Sequence, residues 1–234
     1  MKEVSVKMNI QGFQKLTLLD FPQKTACTIF CGGCNLRCPF CHNGSLVKKP
    51  TENPNAEKDV LEYLEKRKGI LDGICITGGE PLLQPDFKDF VLKVKEMGFL
   101  VKLDTNGALP KRLKDIIPYV DYVAMDVKSS FENYHKATGS DIDVSLFKES
   151  IDIIRSSSVM HEFRTTLVKS VHKKEDIIEI AKYLKGEKNY FLQGFVDSGN
   201  LLDYGEAFTK QELLEILNEV KIYIPEAELR GESL

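Results

Sequence analysis

Residues 73–104 read GICITGGEPLLQPDFKDFVLKVKEMGFLVKLD, and this stretch contains one complete strand–helix–strand unit. The apolar runs 73–77 (GICIT) and 99–104 (FLVKLD) have the length and β-branched content of buried strands. Between them Phe87, Phe90, Val91, Val94 and Met97 recur at helical spacing, which predicts a helix over 86–97. A helix between two buried strands is the crossover of a parallel sheet.

The same alternation continues in both directions. Strands are predicted at 25–31 (TACTIFC), 121–126 (DYVAMD), 161–168 (HEFRTTLV) and 189–195 (NYFLQGF), with helices near 57–67, 110–117, 143–156, 174–184 and 209–220. No long Pro/Gly/Ser linker, low-complexity tract or internal repeat divides the chain. The expected organisation is a lead-in over 1–24 packed on one core domain over 25–234, which ends in a helix and an extension. Six parallel strands with outer helices form either an open doubly wound sheet or an incomplete barrel, and periodicity does not choose between them.

Composition narrows the function classes. Apolar residues make up 42% of the 234, enough for a substantial core. Lys and Arg number 32 against 35 Asp and Glu, a net charge of -3, so the basic field that non-specific nucleic-acid binding needs is missing and no nucleic-acid partner is expected. The opening MKEVSVKMNI lacks a continuous apolar stretch, and no window is long enough to span a bilayer, so a cytoplasmic protein without a membrane partner is expected. Five of the six cysteines fall between Cys27 and Cys41, a crowding that favours metal ligation over a disulfide framework.

Two overlapping C-x3-C-x2-C registers occur in CTIFCGGCNLRCPFCHNG: Cys27, Cys31, Cys34 and Cys34, Cys38, Cys41. Three thiolates can hold three irons of a [4Fe-4S] cubane and leave the fourth iron open to a non-protein ligand. Cys27 and Cys31 lie inside the apolar strand, where cysteine is commonly a buried apolar residue, and Cys75 reads the same way. Cys34, Cys38 and Cys41 follow Gly32 and Gly33 on a loop at a strand end, and Phe40 beside them offers a flat face to a purine ring, which favours the second register. Zinc ribbons separate their C-x2-C knuckles by many residues, and ferredoxin-like carriers use a fourth cysteine, so both fit less well.

With CNLRCPFCHN and TGGEP in hand, the sequence resembles the radical S-adenosylmethionine (SAM) superfamily, and more closely its activating enzymes of glycyl-radical enzymes. LTLLDFPQKT, ITGGEPLLQ, DTNG, AMDVK and FRTTLV support the match in order along the chain. The lead-in looks most like the activator of anaerobic ribonucleoside-triphosphate reductase, with the pyruvate formate-lyase activator second. The resemblance implies an incomplete parallel (β/α)6 TIM-like barrel, a [4Fe-4S] cluster on Cys34, Cys38 and Cys41, and SAM as the second cofactor. It further implies SAM contacts from Phe40, Cys41, His42, Gly78, Gly79, Glu80, Asp104, Asp126, Lys128 and Arg164. In a parallel barrel the polar ones stand at or beyond strand ends, on the face where such folds build active sites.

Gly78 and Gly79 either admit a ligand to the backbone or serve a tight turn; on the first reading Gly79→Val weakens cofactor binding and leaves the cluster in place. Asp104, Thr105 and Asp126 resemble a monovalent-cation site, since two close carboxylates need a cation or a proton. A histidine contact of the pyruvate formate-lyase activator falls where this chain reads LQGF, near Phe195. His42 is a ligand-shell residue or a polar loop residue. The implied reaction is one-electron cleavage of SAM to a 5′-deoxyadenosyl radical that takes hydrogen from a glycine of a partner glycyl-radical enzyme, with a flavodoxin- or ferredoxin-type electron donor. A pyruvate formate-lyase-type activase, a radical enzyme acting on a small molecule and a non-catalytic iron–sulfur carrier are the alternatives.

Overall fold

The computed structural model describes residues 8–48, 53, 56–197 and 199–231. The first seven residues of the lead-in and the last three of the extension lie outside them. In chain order the elements are β1 (Ile10–Thr17), β2 (Ala26–Cys31), α1 (Gly44–Lys48), α2 (Ala56–Glu65), β3 (Gly73–Gly78), α3 (Phe87–Glu96), β4 (Leu100–Thr105), α4 (Pro110–Ile116), β5 (Tyr122–Asp126), α5 (Tyr134–Thr138), α6 (Val144–Ser156), β6 (Met160–Leu167), α7 (Lys174–Tyr183), β7 (Tyr190–Gly194), α8 (Lys210–Val220) and β8 (Glu228–Arg230).

All eight strands form one sheet in sequential order, with β1 antiparallel to β2 and every later pair parallel. That order settles what periodicity left open. A doubly wound sheet needs a reversal of strand order, and none occurs here. Right-handed crossovers in an unreversed order put every helix on one face, so the sheet curls with helices outside. Among the described residues no ladder joins β1 to β8, and the barrel stays open along that seam. The fold is an incomplete parallel (β/α)6 barrel over β2–β7, extended by one strand at each edge.

Strand alternation sorts side chains into two environments. Outward residues such as Ile74, Ile76, Val101, Leu103, Val123 and Met125 are fully buried beneath the helices in the main core. The inward set is small or charged: Thr28 on β2, Cys75 and Thr77 on β3, Lys102 and Asp104 on β4, Ala124 and Asp126 on β5, Glu162 and Arg164 on β6. Barrels of this class more often fill the interior with branched apolar side chains. The amino end of the interior is sealed by Phe21, 1% exposed, which packs with Ala26, Tyr122 and Ala124 in a separate small cluster. The lead-in thus contributes an edge strand and a plug, while Leu18 and Leu19 of its turn remain exposed.

Candidate active site at the open end of the barrel

The loop after β2 is tied to every neighbour it meets. Gly32 N–H donates to Asn9 O (2.8 Å), Gly33 N–H to Leu46 O (3.0 Å) and Arg37 N–H to Thr138 O (2.8 Å). From β3, Gly79 N–H donates to Cys31 O (2.8 Å) and Glu80 N–H to Gly33 O (2.9 Å). Gln84 Nε2 reaches Gly32 O (2.9 Å), and Asn43 Nδ2 reaches Gly78 O (2.9 Å). The loop carrying the cysteines is therefore fixed by backbone bonds before any ligand is considered.

One cavity at the carboxyl ends of the strands gathers nearly all the expected residues. Cys34, Cys38 and Cys41 line it together with Phe40, His42, Gly78, Gly79, Asp104, Asp126, Lys128 and Arg164. Cys27 and Cys31 are fully buried in the outer core, and burial pushes the Cys27 thiol up to about 12 and Cys31 higher still. Only the second register shares the cavity. Cys75 faces the barrel interior, 3.9 Å from Lys102 Nζ and from Asp104 Oδ1.

The donor set fits an iron–sulfur group. Burial raises Cys34 and pushes Cys38 up to about 12, while Lys128 opposes the rise at both, so a cation already faces the positions where thiolates would form. The Cys34 sulfur is approached by two N–H donors, Leu36 N (3.4 Å) and Asn106 Nδ2 (3.6 Å). No three His, Cys, Asp or Glu side chains among the described residues converge as ligands of a single ion would. Cys34, Cys38 and Cys41 supply from one cavity the three thiols that a [4Fe-4S] cluster with one open iron would need.

Behind the cysteines runs a line of alternating charges. Lys102 pairs with Asp104, Arg164 Nη1 reaches Asp104 Oδ2 (3.2 Å), Arg164 Nε reaches Asp126 Oδ1 (2.9 Å), and Lys128 Nζ reaches Asp126 Oδ2 (2.8 Å). Burial alone would raise the Asp126 carboxyl, but Arg164 and Lys128 outweigh it and hold the group well below the usual carboxylate range. Asp104 is lowered against the same burial by Arg164 and Lys102. Both are carboxylates at neutral pH.

A monovalent cation expected at Asp104, Thr105 and Asp126 would meet two carboxylates that already carry basic partners. Arg164 spans both carboxylates and supplies the charge a cation would bring. Thr105 lines the same cavity, and its hydroxyl donates to Glu80 Oε1 (2.9 Å).

Glu80 is not brought to the cavity. Its carboxylate is fully buried and accepts from Leu82 N (3.1 Å), Thr105 Oγ1 (2.9 Å) and Asn106 N (2.7 Å). Burial pushes it up to about 7 against those three donors. Glu80 braces the ends of β3 and β4 against each other rather than facing a ligand.

The two glycines also change meaning. A Cβ on Gly78, at φ 110°, or on Gly79 would overlap backbone atoms of Cys31 and Gly33 respectively. The close approach that demands glycine is to the cysteine loop itself. We therefore expect Gly79→Val to lose iron uptake along with SAM binding, because overpacking of this kind forces backbone shifts costing about 1–3 kcal/mol or more. Iron content measured beside SAM affinity checks this; full iron with weakened SAM binding would restore the ligand-approach reading.

His42 meets the Phe195 ring at 5.4 Å, so the two residues left open by the sequence form one wall of the mouth. Burial lowers His42, with Lys128 acting in the same direction. Asn43, Thr77, Asn106, Thr166 and Gln193 also line the cavity. Thr166 stands two residues beyond Arg164 on β6 and Thr77 ends the inward row of β3, so strand alternation alone would have found both.

A family model described as the Radical SAM superfamily matches residues 28–184. A Methanocaldococcus jannaschii protein assigned by name as a glycyl-radical enzyme activating enzyme is 34% identical over 244 aligned positions, covering 96% of this chain and 97% of that one. The pyruvate formate-lyase-activating enzyme of Clostridium pasteurianum is 28% identical over 187 positions, 77% of each chain. The crystal structure of SuiB from Streptococcus suis superposes with a TM-score of 0.63 at 18% identity, a likeness of fold, over 86% of this chain and 47% of that one, so this chain spans about half of SuiB's length.

Proposed function

The chain belongs to the radical SAM superfamily, and on that premise we propose that it activates a glycyl-radical enzyme, with an anaerobic ribonucleoside-triphosphate reductase as its partner. The observation that carries the proposal is the single cavity in which three loop thiols face the Asp126–Lys128–Arg164 group. The 34% identity along 96% of the chain to an activating enzyme supports the class, and the LTLLDFPQKT lead-in supports the partner.

On this reading Cys34, Cys38 and Cys41 hold a [4Fe-4S] cluster. When bound, the cluster with its thiolate-free iron supplies the electron that splits the sulfonium of SAM into methionine and a 5′-deoxyadenosyl radical. Lys128 and Arg164 place positive charge where the SAM carboxylate would sit, and Asp126 is held ionised to accept from ribose hydroxyls. Phe40, 4% exposed, and the His42–Phe195 wall supply the apolar surfaces that orient an adenine and keep water away. The open seam between β1 and β8 leaves room for a protein loop bearing the target glycine. A flavodoxin- or ferredoxin-type protein would deliver the electron from outside. Among the described residues no helix is long and apolar enough to cross a membrane.

The test is incubation of the reduced enzyme and SAM with the candidate reductase. A glycyl-radical signal split into a doublet by the remaining α-hydrogen is expected, with deuterium from the labelled glycine appearing in 5′-deoxyadenosine. Label arriving only from a small metabolite would defeat the activase assignment, and a radical on pyruvate formate-lyase alone would change the partner.

A further inference from the structure

Asn106 lies at the turn after β4 and is 6% exposed. Its backbone N–H donates to Glu80 Oε2 (2.7 Å), so the buried carboxylate that takes no part in the cavity fixes this residue instead. The side-chain amide has one orientation open to it. Its Oδ1 accepts from Ala108 N–H (2.9 Å), which turns the NH2 group toward the cysteine loop. One N–H then reaches Asn35 Oδ1 (2.9 Å) and the other points at Cys34 Sγ, 3.6 Å away. Leu36 N–H approaches the same sulfur from the loop's own backbone.

We propose that Asn106 is a tuning residue for the cluster: its amide donates to the Cys34 sulfur and makes the cluster easier to reduce. The inference rests on the reading of Cys34 as a cluster ligand. Hydrogen bonds to cluster sulfurs are among the factors that set iron–sulfur potentials, and they stabilise the more negatively charged, reduced form. The donor is held from behind by Glu80 and Ala108, so its position does not depend on the ligand. In the sequence Asn106 stands in DTNG, one of the stretches that carry the resemblance, and receives no role of its own there.

The experiment compares wild type, Asn106→Ala and Asn106→Asp after anaerobic reconstitution, with iron content and reduction potential as separate readouts. Asn106→Ala removes the donor; Asn106→Asp replaces it with an anionic acceptor while keeping the Ala108 contact. With iron at the wild-type level, the potential is expected to fall in Asn106→Ala and to fall further in Asn106→Asp. An unchanged potential in both variants overturns the proposal. Should neither variant assemble the cluster, Asn35→Asp protein grown with 15N-asparagine decides: the reduced cluster is expected to show a nitrogen hyperfine coupling from the Asn106 amide, and its absence overturns the proposal. Failure of wild type itself to bind four irons would sink the cluster reading, a result distinct from either of these.

Discussion

Cys34→Ala, Cys38→Ala and Cys41→Ala, made one at a time, each reduce the iron of anaerobically reconstituted protein from about four atoms per chain to near zero, because a cubane with a single open iron has no spare thiolate. Cys27→Ala and Cys31→Ala keep the cluster. Both of those side chains are fully buried on the helix side of β2, so their loss costs packing and leaves the cavity intact. The expected cost of each is on the order of 1 kcal/mol or more of stability. Iron analysis with the absorbance of the oxidised cluster reads the first effect, and thermal unfolding reads the second. Loss of iron from the Cys27 and Cys31 variants, with retention in those of Cys38 and Cys41, would mean the wrong register has been assigned.

The register shows how far the sequence carries. Both cysteine triplets have the same spacing, and what separates them is whether a residue lies in the strand or beyond it. TACTIFC is apolar and β-branched throughout, so the end of β2 at Cys31 was readable. The six crossover strands and six of the helices were legible for the same reason, since each carries its own apolar period. β1 was not, because its exposed edge blurs the alternation: Gln14, Lys15 and Leu16 are all exposed. β8 has three residues and α5 five, lengths at which tertiary contacts rather than local pattern decide.

Polar strand residues pointed to the mouth of the barrel, but their mutual pairing was invisible in one dimension. Asp104 and Arg164 are sixty residues apart in sequence and meet only because β4, β5 and β6 are adjacent. In one dimension the two carboxylates stand without a partner; in the fold Arg164 reaches both. Glu80 and the Gly78–Gly79 pair show the same limit. The motif placed them beside the cofactors; in the folded chain Gly78 and Gly79 line the cavity and also hold the cysteine loop to β3, while Glu80 ties β3 to β4.

Reductive cleavage of SAM tests the central claim most directly. A carrier whose cluster is fully ligated has no iron to offer SAM, whereas three thiolates beside Asp126, Lys128 and Arg164 leave one iron open and a polar wall to orient the ligand. Reconstituted enzyme reduced with dithionite and given SAM should show a changed paramagnetic spectrum and release methionine and 5′-deoxyadenosine in equal amounts. Protein with an intact cluster, an unaltered spectrum and no cleavage would contradict the account and identify an electron carrier instead.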